Sequence, residues 1–237
     1  MRKLWRTRLR VVFLIAFGVI LPLTGAMAQD LSWSTIRVKS EGNVSLCGPG
    51  TVTTAYTGNS AAFVFSKLGI RLDASTPHQA GEEFGACRIR SRVVIPKGYY
   101  LAAVTQNTQA GVVKSVGARG SIRTLLALQA PERFLGMRMP AFPGLDEQGR
   151  IIERSLNFAP KEEMNEPLLN LSGSFEASQQ GLRYMCKFSK VGPVALDMEF
   201  RTAIRGQRKK PGSSVVIFVD SADVQLWVGT RLSACPA

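Results

Sequence analysis

The stretch Leu196-Asp197-Met198-Glu199-Phe200-Arg201-Thr202-Ala203-Ile204-Arg205 decides how this chain folds. Leu196, Met198, Phe200, Thr202 and Ile204 fall on one side of an extended backbone, with Asp197, Glu199, Arg201 and Arg205 on the other. Successive side chains of a β-strand point to opposite faces, so a period of two means a strand with one buried and one solvated face. The same period recurs along the chain. Cys87, Ile89, Ser91, Val93 and Ile95 alternate with Arg88, Arg90 and Arg92. Leu182, Tyr184, Cys186 and Phe188 alternate with Arg183, Met185 and Lys187, which places Cys87 and Cys186 on the inward phase of two strands. Val224, Leu226, Val228 and Leu232 alternate with Gln225, Trp227 and Arg231. Val215–Val219 is apolar without a break, as in a strand covered on both faces. Further strands are expected at residues 51–56, 61–72, 99–105, 111–116 and 121–128, separated by turn signals such as Thr57-Gly58-Asn59-Ser60 and Pro96-Lys97-Gly98. About ten strands without a sustained helical period predict an all-β protein, an antiparallel β-sandwich. The segment 130–167, with five prolines, reads as a long connection with room for a helical turn around residues 161–166.

Residues 1–28 have the pattern of a secretory signal peptide. Five basic groups (Arg2, Lys3, Arg6, Arg8 and Arg10) precede an apolar run over 11–23, and Ala26 and Ala28 supply the small side chains a signal peptidase fits into shallow pockets. The apolar run, with Pro22 inside it, is short for the roughly 30 Å of hydrocarbon that an anchor must cross. Cleavage before Gln29 is therefore expected, leaving residues 29–237 as a single domain, secreted or periplasmic, with no membrane span. The chain has 237 residues, 30 Lys and Arg against 17 Asp and Glu, and 45% apolar residues, enough for a core. Beyond residue 28 the balance is 25 against 17, or +8. All four cysteines (Cys47, Cys87, Cys186 and Cys235) lie in that part, an even number in an oxidising compartment, so two disulfides are expected. Their separations of 40, 99 and 49 residues match no zinc or redox pattern. Four cysteines allow three connectivities, and spacing does not choose among them.

The cysteine-bearing segments resemble a family of small secreted proteins known only as a domain of unknown function. The resemblance rests on Cys47-Gly48-Pro49-Gly50-Thr51-Val52, Phe63-Val64-Phe65-Ser66 and Cys87-Arg88-Ile89 running into Val93-Val94-Ile95-Pro96-Lys97-Gly98-Tyr99. It closes with Val216-Ile217-Phe218-Val219-Asp220-Ser221, Trp227 and Cys235. It covers roughly residues 45–128 and 182–235, and Ala110-Gly111 stands where members often carry Arg-Gly. The resemblance implies a disulfide-linked β-sandwich and adds no activity. Each matched block holds two cysteines, which favours Cys47–Cys87 and Cys186–Cys235, each end of the domain closed on itself.

Catalytic chemistry has few candidates. His78 is the one histidine, in the polar loop Ser75-Thr76-Pro77-His78-Gln79-Ala80-Gly81, and no G-x-S-x-G elbow accompanies it. Asp197 and Glu199 share a strand face about 7 Å apart, inside the window of a glycosidase-like carboxylate pair. That makes a secreted hydrolase the alternative function, although both are expected to point to solvent beside Arg201. Asp220-Ser221-Ala222-Asp223 lacks the further oxygen ligands of a calcium loop. No metal and no cofactor are expected.

The basic residues carry the leading expectation. Arg88, Arg90 and Arg92 form a cationic row on one sheet face, and Arg205, Arg208, Lys209 and Lys210 cluster before the Val215 strand. Trp227 and Arg231 share the outward phase of the last strand, an indole to stack on a sugar ring beside a guanidinium for its anionic substituent. These features fit a non-catalytic binding or structural protein whose partner is an anionic polysaccharide or other cell-surface polyanion. A nucleic-acid partner is not expected at a secretory address. The same rows also serve simply to solvate a sheet face and discourage edge pairing.

Overall fold

The computed structural model describes residues 31–236 apart from 49, 67, 74, 76–80, 130–132, 135–136, 139–141, 144, 147 and 220–224. The expected signal peptide over residues 1–28, His78 and the segment Asp220 to Asp223 therefore lie outside the described residues. The chain runs through β1 (Ser32–Gly42), β2 (Val52–Thr57), β3 (Ser60–Phe65), β4 (Leu68–Leu72), β5 (Glu82–Ile95), β6 (Tyr99–Lys114) and β7 (Ala118–Gln129). A two-stranded ribbon follows, β8 (Arg133–Phe134) with β9 (Met137–Arg138). Then come β10 (Arg150–Phe158), β11 (Met164–Glu176), the helix α1 (Gln179–Ser189), β12 (Val194–Arg208), β13 (Val215–Val219) and β14 (Gln225–Ala234).

Two antiparallel sheets make a sandwich. The first has five strands in the order β1-β5-β12-β7-β10; the second has seven, ordered β2-β3-β14-β6-β13-β4 with β11 also paired to β6. The decisive stretch sits in β12, the middle strand of the first sheet, hydrogen-bonded to β5 on one side and β7 on the other. Its inward row Leu196, Met198, Phe200 and Ile204 is at most 1% exposed. Ile89, Val93 and Ile95 of β5 are equally buried beside it. The inner face of the second sheet answers with Phe63, Phe65, Val104, Val112 and Ile217, all fully buried. Aromatic rings tie the two layers together: Phe63 of β3 packs on Phe200 of β12 at 4.9 Å, and Trp33 of β1 stacks on Tyr56 of β2 at 5.8 Å. Each fully buried Phe or Ile contributes about 1.5–3 kcal/mol, which makes this double row the main support of the fold.

Both disulfides are formed, Cys47–Cys87 with Cα atoms 5.6 Å apart and Cys186–Cys235 with Cα atoms 5.5 Å apart. The connectivity is the one favoured by the resemblance. In the chain-entropy account, loops of 40 and 49 residues each restrict the unfolded chain by about 4 kcal/mol.

Four expectations need correction. Cys186 is on a helix, not on the inward phase of a strand: α1 is capped by Ser178, whose Oγ accepts from the Gly181 N–H at 3.1 Å. Its buried residues Gly181, Met185, Cys186, Phe188 and Ser189 follow a period near 3.6. The segment 130–167 is no mere connection, since it contains β10 and the start of β11, with no helical turn at 161–166. Pro160 lies in the β10–β11 turn, and Pro167 sits in a bulge where β11 slips against β6. Both are positions that tolerate a missing N–H. Residues 61–72 are split into β3 and β4, whereas 99–105 and 111–116 belong to one continuous strand, β6. Its polar centre was the misleading part: Gln106 and Thr108 face inward and are buried, the Gln106 amide donating to Thr108 Oγ1 at 3.2 Å.

Candidate functional site

The outward face of the five-stranded sheet is where the chain gathers its charge. Register explains how. Across β5 and β12, Arg92 lies opposite Asp197, Arg90 opposite Glu199 and Arg88 opposite Arg201. The alternation that buries Phe200 therefore puts two carboxylates of β12 beside the arginine row of β5. Arg92 Nε meets Asp197 Oδ1 at 3.1 Å. Arg90 Nη2 reaches Glu199 Oε2 at 2.9 Å, and Arg88 Nε reaches Glu199 Oε1 at 3.2 Å. Glu41 at the end of β1 bridges Arg88 at 3.4 Å and Arg201 at 3.1 Å. Glu199 is 8% exposed, so it is held beneath its arginines and not turned out to solvent as the alternation by itself suggests.

Beyond β12 the same face continues onto β7 and β10. Leu125 and Ala127 of β7 lie opposite Arg201 and Glu199, and form an apolar strip between two charged walls. On the far side Arg123 pairs with Glu153 at 2.5 Å, and Arg150 with the same Glu153 at 3.0 Å. Arg150 is also clasped by Asp146, whose Oδ1 accepts the backbone N–H of Gln148 at 3.0 Å and of Arg150 at 2.9 Å. The Arg150 backbone N–H, with its guanidinium, holds the Asp146 carboxyl below the usual carboxylate range, and Asp146 raises the Arg150 guanidinium in turn. Gly149 makes this corner possible: its φ of +69° is left-handed, and a Cβ there would stand 2.1 Å from the Leu128 carbonyl oxygen. At the other end Arg205 pairs with Glu82 at 3.0 Å and lies 5.7 Å from the Phe84 ring centre.

Between the walls runs a groove of about 860 Å³, bordered by Arg88, Arg90, Arg123, Arg150, Arg201 and Arg205 and floored by Leu125, Ala127 and Ala203. Guanidinium donors and carboxylate acceptors are fixed in pairs around an apolar strip, an arrangement suited to a ligand with both a polar rim and a flat apolar face. Among the described residues no group of three or more His, Cys, Asp or Glu is placed to hold a metal.

The candidate residues read from the sequence end up in three places. Arg88, Arg90 and Arg92 share the outer face of the five-stranded sheet with Arg205. Arg208, the last residue of β12, is buried at 9% exposure, and its guanidinium donates to the Asp73 carbonyl. Lys209 and Lys210 are exposed in the turn toward β13, with the Lys210 stem packed over Gly117. Trp227 and Arg231 stand on β14, in the seven-stranded sheet and so away from the arginine row. Trp227 is paired through its backbone with Asn107 and Ala62, its side chain lying outside the described residues, and Arg231 reaches Glu176 at 3.4 Å. Arg123, Arg150 and Glu41 escaped the sequence reading because each joins the site from a different strand, and none carries a local pattern.

No protein-family model and no curated protein matches this chain. What holds of the secreted-family resemblance is its structural content. The chain is a small, disulfide-linked, all-β sandwich. Among solved structures it is similar to a carbohydrate-binding module described for specific mannan recognition, at 11% identity over 84% of this chain and 89% of that one, with a TM-score of 0.30. It is also similar to a module in complex with β-1,4-galactotriose (11% identity, 86% and 88% covered, TM-score 0.24). A third is the xylan-binding domain of Xyn10C from Paenibacillus barcinonensis (10% identity, 84% and 85% covered, TM-score 0.22). Overlap at this level does not carry a binding role over to this chain.

Proposed function

We propose that this chain is a non-catalytic binding protein of the cell exterior that holds an anionic polysaccharide in the groove of the five-stranded sheet. One observation carries the proposal: six guanidinium groups border a groove of about 860 Å³ above an apolar floor. Carboxylate or sulfate substituents of a sugar chain match the planar fork of arginine, and a pyranose face fits the Leu125–Ala127 strip. Because the arginines are already oriented by Glu41, Glu153 and Glu199, little side-chain entropy is lost when a ligand arrives. Export is supported by the leader pattern of residues 1–28 and by the two disulfides. No helix among the described residues is long and apolar enough to cross a membrane. The hydrolase alternative has less support, since Asp197 and Glu199 are both occupied by arginines and Glu199 is buried beneath them.

Affinity electrophoresis through gels containing alginate, polygalacturonate or heparin, with a neutral glucan as control, tests this. The variant Arg123→Gln/Arg205→Gln takes one exposed guanidinium from each wall, and Lys209→Gln/Lys210→Gln takes the same formal charge from a remote turn. Retardation on at least one acidic glycan, lost at roughly 10-fold in the groove variant and little changed in the turn variant, is expected for a few charge-assisted contacts. Equal losses would reduce the effect to net charge, and no retardation on any acidic glycan would remove the proposal.

A further inference from the structure

The cations at the α1 end of the sandwich are built differently from those of the groove. Arg183, Lys187 and Lys190 recur at intervals of four and three residues, so they line one stripe of the helix, about 10 Å long, and all three are exposed. Lys97, also exposed, is brought beside the end of this stripe because the Gly98 N–H donates to the Ser189 carbonyl at 2.8 Å. From Ala177 to Leu196 the chain contains no Asp or Glu. None of the four cations forms an ion pair with a described residue, Lys187 resting only over the Phe188 ring at 6.0 Å from its centre, whereas all six arginines of the groove do. Among them Val191 stands out at 58% exposure, held there by the bonds of its own N–H and that of Gly192 to the Phe188 carbonyl, at 3.0 and 3.3 Å. Pro193 continues the exposed surface.

This corner is cross-tied. The Cys186–Cys235 disulfide fastens α1 to the end of β14, and the Cys235 N–H donates to the Gly98 carbonyl at 2.8 Å, closing helix, turn and chain end on one another. Beneath the stripe, Tyr184 packs between Phe142 and Phe188 with ring centres 5.1 Å apart on each side.

We propose that this corner docks on an anionic phospholipid surface, with Lys97, Arg183, Lys187 and Lys190 over headgroup phosphates and Val191 entering the headgroup–acyl boundary. The two halves of the patch select that occupant. Unpaired ammonium and guanidinium groups gain most from a dense array of negative charge, and each basic residue near such a surface adds about 1 kcal/mol, or roughly fivefold in partition. An exposed valine at the rim of the stripe adds nothing to the binding of a soluble polyanion but is favourable at a lipid interface, where apolar and basic side chains are taken up together.

The test is vesicle co-sedimentation of the processed chain beginning at Gln29, whose fold is contained in the described residues and which lacks the basic-apolar leader that would bind lipid by itself. Vesicles contain phosphatidylglycerol and phosphatidylcholine, with pure phosphatidylcholine as control. Binding is expected only with phosphatidylglycerol and should weaken as salt rises. Lys187→Gln/Lys190→Gln should lower the partition coefficient about 25-fold. Val191→Ser should lower it a few-fold at unchanged net charge. The groove variant Arg123→Gln/Arg205→Gln should lower it much less, which keeps this test separate from the glycan test, and near-UV circular dichroism reports that each variant is folded. Absence of binding to phosphatidylglycerol, a loss as large in Lys209→Gln/Lys210→Gln as in the helix variant, or no effect of Val191→Ser would each overturn the proposal.

Discussion

The groove of the five-stranded sheet and the α1 corner are both basic, and they use their charge in opposite ways. In the groove the arginines come from β5, β7, β10 and β12; carboxylates of neighbouring strands hold all but Arg150, which is held by Glu153 of its own strand and by Asp146. In the corner a single helix and one turn supply the cations, and no carboxylate of a described residue pairs with them. A paired guanidinium keeps its direction and gives up most of its long-range field, whereas an unpaired one keeps the field and is free to turn. The groove is therefore suited to recognising shape and substituent pattern, the corner to being drawn toward a charged surface. Net charge alone, +8 beyond residue 28, does not separate these two uses.

The largest effect expected on this contrast comes from cutting the corner loose. Replacing Cys186 and Cys235 together by Ser should cost about 4 kcal/mol of stability in the chain-entropy account, measured by urea denaturation. The groove, held by strand pairing, should keep its glycan retardation under native conditions while vesicle binding weakens. A corner that binds vesicles equally well without its disulfide would show that its cross-tie is unimportant.

Next in size is Glu199→Gln. This change leaves Arg88 and Arg90 without the carboxylate they share; the carboxylate is buried but the arginines are about a third exposed, so the loss is about 1–3 kcal/mol. It should reduce both stability and glycan binding, because the arginines lose their orientation as well as their partner. A stable variant with stronger binding would mean that Glu199 only competes with the ligand. By the same logic Arg88→Gln and Arg90→Gln are not the harmless surface changes that an exposed row suggests.

Arg92→Gln is smaller. Its side chain is 52% exposed and its partner Asp197 25%, so screening by water should hold the loss under about 1 kcal/mol. Thermal unfolding would show a shift of a few degrees at most. The smallest effect is a pH response at the rim of the groove. A carboxyl held below its usual value stabilises the fold above the unfolded-state value, and that contribution is lost as pH falls through the lower, folded-state value. Hydrogen exchange at the Gln148 and Arg150 amides should therefore stay slow down to the ordinary carboxylate range and quicken only below it, as Asp146 protonates. Quickening between pH 7 and 5 would indicate another group.

Part of this architecture is visible before any folding. The strands β5 and β12 announce themselves because each has one wholly buried and one charged face, so that period two is written in residue type. Helix α1 hides for the converse reason: Leu182, Tyr184, Cys186 and Phe188 also alternate, and over seven residues the periods of 2 and 3.6 select overlapping positions. Its helical signal lies in Ser178 as a cap and in Met185 with Ser189, a pair that alternation passes over. The strands β10 and β11 hide behind their prolines, which the fold accommodates at a turn and at a bulge on an edge. In β6 the run Gln106-Asn107-Thr108-Gln109 looks like a loop, yet its inward members are Gln106 and Thr108, joined inside the sandwich by a bond from the Gln106 amide N–H to Thr108 Oγ1.

The amino-acid sequence by itself determined the fold class, the two inward rows that meet in the core, and the presence of Arg88, Arg90 and Arg92 on one face, since each follows from the alternation of neighbouring side chains. Only the tertiary structure decided what those arginines do. Glu41 precedes Arg88 by 47 residues and Glu199 follows it by 111, and strand register alone brings all three together. The distinction between a paired groove and an unpaired corner is likewise tertiary. Whether a charge keeps its field depends on what lies within about 4 Å of it in space, and local sequence does not contain that information.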